Sequence, residues 1–176
     1  MARGFLNARH KTGGAAAVNE YKVDTSQTIA AGDVVGLNAG VVERCTATAG
    51  VTNLAILGVA AASKTSSASG TGADFPTSLT DADLTDKVLV YDDLQNTVFE
   101  TNVADVAQAD VGAAIGVIAT AAVTIGSQTV SRESGTGTVT TPATGKNFKL
   151  LGAVKRPGNA LATANGTVDC YVAVSL

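Results

Sequence analysis

Asp81, Asp83, Asp86 and Asp92 occupy the first, third, sixth and twelfth places of a stretch that faintly follows a calcium-binding loop, in which alternate oxygens converge on one hard cation. The pattern fails at its two critical positions. Asp86 stands where a sharp turn normally requires Gly, and the bidentate Glu that should close the loop is missing. These residues therefore read as a solvated acidic face. Thr140–Asn147 (TPATGKN within that stretch) shares only Gly145-Lys146 with a phosphate-binding loop, because Thr140 replaces the leading Gly and Asn147 the metal-binding hydroxyl. Asp92 and Asp93 are adjacent, so in a continuing strand they point to opposite faces and cannot serve one bond as an acid–base pair. The chain has one His, His10, and two Cys, Cys45 and Cys170, too few for a histidine-dependent triad or a multi-ligand zinc site. No catalytic residue, metal or cofactor is assigned. Counting alone leaves carboxylate or lysine chemistry open, as in a small β-barrel enzyme.

The elements that must carry these residues are built from small side chains. Of 176 residues, 45% are hydrophobic but only 4% aromatic, with no Trp and one Met. Such residues suit closely spaced sheets with many Gly turns and supply few of the bulky anchors that line small-molecule pockets. A chain of this length can hide roughly 70% of its unfolded surface, enough for a real core. No apolar run reaches membrane-spanning length, and Met1–Val18 has no apolar centre of the signal-peptide kind, so synthesis and retention in a cytosol are expected. Cys45 and Cys170 then read as buried small hydrophobes rather than a disulfide.

The net charge of −3 argues against sequence-wide attraction to nucleic acid, yet the charges are sorted along the chain. Residues 1–19 hold Arg3, Arg9, His10 and Lys11 without an acid. Residues 74–110 hold nine acids against Lys87 alone, and residues 146–156 hold Lys146, Lys149, Lys155 and Arg156 unopposed. Sorted charge suits docking against complementary surfaces, and equally a solvated face that serves only solubility. Arg132-Glu133 and Lys155-Arg156 lack interleaved aromatics for stacking on bases, so protein carboxylates are the preferred partners of the basic groups.

Residues 1–19 show neither strand alternation nor a helical stripe before Gly13-Gly14 and read as an extended N-terminal arm, with Phe5 and Leu6 as apolar anchors among cations. Residues 20–176 read as a β-rich domain of about ten short strands. Tyr21–Asp24 alternates. Ile29–Leu37 and Val41–Thr46 flank Asn38-Ala39-Gly40 as a hairpin; Leu54–Ala60 is a strand before an exposed loop at Ser63–Gly72; Val88–Tyr91 and Val98–Thr101 predict a second hairpin. Val103–Val111 has a weak helical spacing. Ile115–Ile118, Thr124–Val130, Val139, Phe148–Val154 and Leu161–Ala164 add strands, and Asn165-Gly166 predicts a turn into the alternating Val168, Cys170, Val172 and Val174. Gly58, Gly116 and Gly152 each interrupt an apolar strand, which permits a bulge or bend and favours a rolled sheet. The predicted fold is all-β, a compact β-barrel or β-sandwich with the arm outside it.

Three stretches resemble the decoration, or cement, proteins of tailed-phage heads: Thr28–Val42 (TIAAGDVVGLNAGVV), Ala109–Val117 (ADVGAAIGV) and Phe148–Val174 (FKLLGAVKRPGNALATANGTVDCYVAV), the last with its basic-Pro-Gly-Asn turn at Arg156–Asn159. The chain departs from that pattern at its end, Ser175-Leu176, where a terminal basic or His residue is absent. The resemblance implies a non-enzymatic structural protein on the exterior of an icosahedral bacteriophage capsid, where it cements neighbouring major capsid subunits as a homo-oligomer, a trimer favoured over a dimer, with no membrane or direct nucleic-acid partner. Arg3, Phe5, Leu6, Arg9, His10 and Lys11 are then the expected capsid-binding residues of the arm, and Lys155 and Arg156 the expected intersubunit or capsid contacts. The alternative is a carbohydrate-binding or host-adhesion module on the virion surface, which would need an exposed aromatic platform.

Overall fold

The computed structural model describes residues 5–38, 40–45, 55–66, 86–104, 106–118, 129–131, 148–161 and 167–174. Short β-branched runs punctuated by Gly give thirteen strands among the described residues: β1 (Leu6–His10), β2 (Asn19–Lys22), β3 (Thr28–Ile29), β4 (Val34–Asn38), β5 (Val41–Arg44), β6 (Ala55–Ala60), β7 (Lys64–Thr65), β8 (Lys87–Tyr91), β9 (Thr97–Ala104), β10 (Ala114–Ile118), β11 (Thr129–Ser131), β12 (Phe148–Ala153) and β13 (Thr167–Val174). No α-helix occurs among the described residues, and Gln108–Asp110 form a single 3-10 turn where the weak helical spacing lay. The fold is all-β. A six-stranded sheet runs β1-β9-β11-β10-β12-β13 with β9 also paired to β13, a five-stranded sheet runs β2-β8-β6-β4-β5, and β3 and β7 form a two-stranded ribbon. Pairing is antiparallel apart from short parallel contacts at β9–β11 and at Val23↔Val42. These contacts span only one or two residue pairs, and no closed barrel is formed by the described residues.

The two larger sheets repeat one plan. Adding 80 to positions 19–38, 88 to β5, 90 to β6 and 82 to β8 carries Asn19↔Val90 onto Phe99↔Val172, Val59↔Tyr91 onto Lys149↔Ala173, Val34↔Val59 onto Ala114↔Lys149, Leu37↔Val42 onto Val117↔Val130, and the parallel Val23↔Val42 onto Val103↔Val130. Turn hydrogen bonds follow the same shifts: Gly32 N donates to Ala60 O and Gly112 N to Leu150 O, both at 2.8 Å. Side chains at matched positions Val23/Val103, Val88/Cys170, Val90/Val172 and Ala60/Leu150 are all buried. The described residues thus include two five-stranded units of identical connectivity in tandem, β2-β4-β5-β6-β8 and β9 to β13.

Val23, Ile29, Val35, Val42, Ala60, Val88 and Val90 fill the first unit. The larger cluster joins Phe99, Val103, Phe148, Leu150, Cys170 and Val172 of the second unit to Val34, Val59 and Cys45 of the first, so the two sheets share a core. Because Val34 and Val35 face opposite ways and both are fully buried, β4 is covered on both faces.

Several expectations are corrected. Residues 5–10 are no free arm: Phe5 is 2% exposed in the shared core and β1 is paired to β9, so the boundary at residue 19 does not separate a tether from a domain. The reason is the scarcity of large apolar side chains elsewhere; burying a Phe outweighs leaving the segment loose. Ile29–Leu37 is not one strand, because Gly32, at φ +88°, turns the chain between β3 and β4. The hairpin expected from β8 and β9 does not form either. The two strands enter different sheets, and Asp92–Asn96 crosses between them. Part of the loop expected at Ser63–Gly72 is β7, followed by the buried Ser66, whose hydroxyl accepts from Gln27 N at 2.8 Å and donates to Asp24 O. β13 pairs with β12 and β9; Leu161 is outside any strand, and the rest of the expected Leu161–Ala164 strand, the Asn165-Gly166 turn and Val139 lie outside the described residues.

Candidate interaction surface

The charges that are segregated in sequence meet inside the fold. The His10–Lys11 corner lies on the β8–β9 crossover: His10 Nε2 is 4.0 Å from Asp93 Oδ2, Lys11 N donates to Asn96 O at 2.7 Å, and Lys11 Nζ donates to Gln95 O. His10 Nδ1 also shares a 2.7 Å hydrogen bond with the Thr12 hydroxyl. Arg9 places its guanidinium 4.4 Å from the centre of the Tyr171 ring, a cation–π contact between β1 and β13. Leu6 is paired in register with Glu100. Arg3 lies outside the described residues. The other five expected arm residues, from Phe5 to Lys11, are thus gathered on the body of the protein, not held away from it.

Arg156 is also engaged internally. Its guanidinium lies 3.2 Å from both Glu100 Oε2 and Asp169 Oδ2, bracing the turn after β12 against β9 and β13. Lys155 beside it is exposed, as is Lys149 on β12. Of the two residues expected as contacts, Lys155 keeps an open charge and Arg156 has a structural duty.

Asn159 closes this region through bonds that no local sequence signal announces. Asn159 donates through Nδ2 to Val154 O at 2.7 Å and Asp169 O at 2.8 Å, and accepts from Asp169 N at 3.0 Å. Its place in the Arg-Pro-Gly-Asn turn was visible, but not the long-range bonds. Tyr21, Asn19 and Asp92 form a second polar group: the Tyr21 hydroxyl donates to Asp92 Oδ2 at 2.5 Å, and Asn19 Nδ2 to the same oxygen at 2.8 Å. The bond to Asp92, then partial burial, push the Tyr21 phenol up. Partial burial alone would push the Asp92 carboxyl up, but the bonds from Tyr21 and Asn19 outweigh it and hold it below its usual range.

The most buried charge has structural work. Asp33 Oδ2 accepts from Ala30 N at 2.9 Å and lies 3.0 Å from Arg44 Nε, pinning the turn before β4 to β5. Asp86 is 3.0 Å from Lys64 Nζ. Asp81, Asp83, Arg132, Glu133 and Thr140–Asn147 fall outside the described residues. Among the described residues no group of three or more His, Cys, Asp or Glu converges as a metal site, and no helix is long and apolar enough to cross a membrane. What the described residues offer at this surface is exposed backbone and charge. No protein-family model, curated protein or solved structure matches the chain.

Proposed function

We propose that the chain is a non-enzymatic structural protein of a tailed-phage head that binds the capsid exterior and cements neighbouring major capsid subunits, acting as a homo-oligomer. The observation that carries this reading is the build of Phe148–Val174, the stretch on which the sequence resemblance chiefly rests. Its apolar strand, Arg-Pro-Gly-Asn turn and final strand form one braced unit in which Asn159 and Arg156 tie β12 to β13 and β9. A braced all-β body, with Arg156 and Asn159 engaged in structural contacts, suits a part that transmits load. Each clamp need supply only about 8 kcal/mol, micromolar affinity, because many repeated contacts on a shell act together.

With residues 5–10 folded onto the body, docking falls to the body's own surface, including Lys149 and Lys155, which carry the positive charge suited to acidic capsid groups. Each five-stranded unit is taken as a small rolled sheet, and the tandem pair as a rigid block spanning two contact sites. The adhesion alternative finds no supporting platform among the described residues: Phe5, Phe99 and Phe148 are buried, Tyr171 is covered by Arg9, and the half-buried Tyr21 and Tyr91 are bonded to Asp92 and packed against the core respectively. The test is cosedimentation of the purified chain with heads stripped of decoration, followed by electron microscopy. Regular density on the shell exterior is expected; binding to a glycan array with no affinity for heads would replace this reading with the adhesion one.

A further inference from the structure

The tandem repeat shows what one strand edge lacks. The outer edge of β9 carries β1 along Thr97–Glu100 and then β11 at Val103 and Ala104, while its inner edge carries β13. In the first unit the matching strand is β2, which carries β8 on its inner edge and reaches β5 through Val23. Residues 17–20, which match 97–100 under the same shift of 80, have no strand on their outer edge among the described residues. They are exposed, Val18 at 40%, with Leu89 on the adjoining strand at 42%. An edge that presents unpaired backbone groups is a template for strand addition.

The two edges share chemistry as well as position. Val18 matches Val98, and Glu20 matches Glu100. Glu100 Oε2 takes a cation from the turn after β12, Arg156, at 3.2 Å and also the Asn7 amide of the docked strand at 2.9 Å. Glu20 Oε2 takes its own cross-strand cation, Lys87, at 2.9 Å, and the partner corresponding to Asn7 has no counterpart among the described residues. We propose that residues 17–20 receive an extended segment donated by a partner chain, antiparallel to β2 and in the register in which β9 receives β1, with an amide or cationic side chain over Glu20. A second copy of this chain is a poor donor of its matching segment, because its Phe5 is held in its own core and bonded to Gly32 at 2.9 Å. The donor is therefore another protein; under the proposed function, on which only this last identification rests, it is the capsid subunit, so that the shell lends the strand.

A synthetic peptide copying Phe5–His10 is the probe, read by amide hydrogen exchange in the intact protein. The peptide should slow exchange within residues 17–20 by about tenfold or more, and Val18→Pro, which removes a donor at the edge, should abolish the effect while leaving the melting temperature unchanged. The outward amides are those of Val18 and Glu20, since Val23 N and, two residues back along the strand each time, Tyr21 N and Asn19 N face β8; the proposal is overturned if exchange at Glu20 and Val18 is unaffected, if those two amides are already protected in the protein alone, or if their protection grows with protein concentration without peptide. Head binding separates the two readings: heads that bind wild type and Val18→Pro equally overturn the edge as the docking site and leave the cement function standing. Heads that bind neither overturn the function, while the peptide measurement still decides the edge.

Discussion

The backbone nitrogen of Phe5 donates to the carbonyl of Gly32 at 2.9 Å, and a β-carbon placed on Gly32 would lie 2.8 Å from the Phe5 carbonyl oxygen. The leading strand thus closes over a turn of the first unit while its ring enters the core shared with the second, 4.6 Å from the Phe148 ring and 5.9 Å from that of Phe99. One residue links both units and β1.

Gly32→Ala tests this closure against an internal control. Gly112 occupies the matching turn with φ +91°, against +88° for Gly32, but a β-carbon there would meet nothing within 4 Å. Both substitutions bear the cost of a left-handed conformation, about 1 kcal/mol, and Gly32→Ala adds the backbone collision, raising its cost to roughly 2–4 kcal/mol. Urea denaturation should place Gly32→Ala clearly below Gly112→Ala; equal losses would mean that Phe5 does not sit over the turn.

Phe5→Ala should destabilise the protein by about 3–5 kcal/mol, the cost of emptying a buried aromatic site, whereas Leu89→Ala at the surface should change stability by less than about 0.5 kcal/mol. Thermal unfolding checks both. A Phe5→Ala protein that melts with wild type would restore the free-arm picture that the sequence suggested.

That picture arose because composition shows which residues are cationic or apolar but not where the chain brings them. Local signals served well: Asn38–Gly40 turns β4 into β5 with Gly40 at φ +89°, and the alternation of Val168, Cys170 and Val172 is the buried face of β13. The bulges expected at strand glycines occur where the β4–β6 ladder slips beside Gly58 and the β12–β13 ladder slips at Gly152. Long-range facts were illegible. As glycines that interrupt apolar strands, Gly116 groups with Gly58 and Gly152 in the sequence, whereas its structural counterpart is Gly36; over positions 19–38 and 99–118 only Glu20/Glu100, Val23/Val103, Gly32/Gly112 and Gly36/Gly116 are identical. So few shared residues leave a repeat visible in ladder register and invisible in sequence. The pairing of basic and acidic segments into Arg156–Glu100 and His10–Asp93 was hidden for the same reason.

Asn159→Ala removes two donors and one acceptor that hold the chain between Val154 and Asp169, at a cost of about 2–3 kcal/mol. Asn159→Asp should be no better, since its carboxylate would face two carbonyl oxygens. Limited proteolysis should show faster cleavage between β12 and β13 in both variants; resistance equal to wild type would remove Asn159 from its bracing role.

Asp92 gives the fold an acid-sensitive contact. Its carboxyl is held below the ordinary carboxylate value, so the stabilisation it contributes is present above that value, near 3.9, and is lost as pH falls through the lower folded one. Tyr21→Phe removes the main hydrogen bond that lowers it. The stability gap between wild type and Tyr21→Phe should be constant near neutrality and narrow as the pH drops below about 4. A gap independent of pH down to 2 would show that the phenol acts through packing alone.

Cys45 and Cys170 are buried thiols outside any disulfide, and burial, helped by Glu43 and Asp169 respectively, pushes each thiol up to about 12. The thiolate is the reactive form, so at pH 8 the folded protein should react with a thiol reagent only as fast as it opens, while in urea both cysteines should react at once. The linkage runs opposite to that of Asp92. A raised thiol value favours the folded state below the ordinary cysteine value, and that contribution is lost as pH climbs from there towards 12. Replacing both cysteines with Val, which approximates their volume, should therefore flatten the alkaline loss of stability while leaving the neutral value within about 1.5 kcal/mol. Prompt labelling of the native protein at pH 8 would mean that one of the thiols is open to solvent and that the core around β13 is looser than its burial indicates.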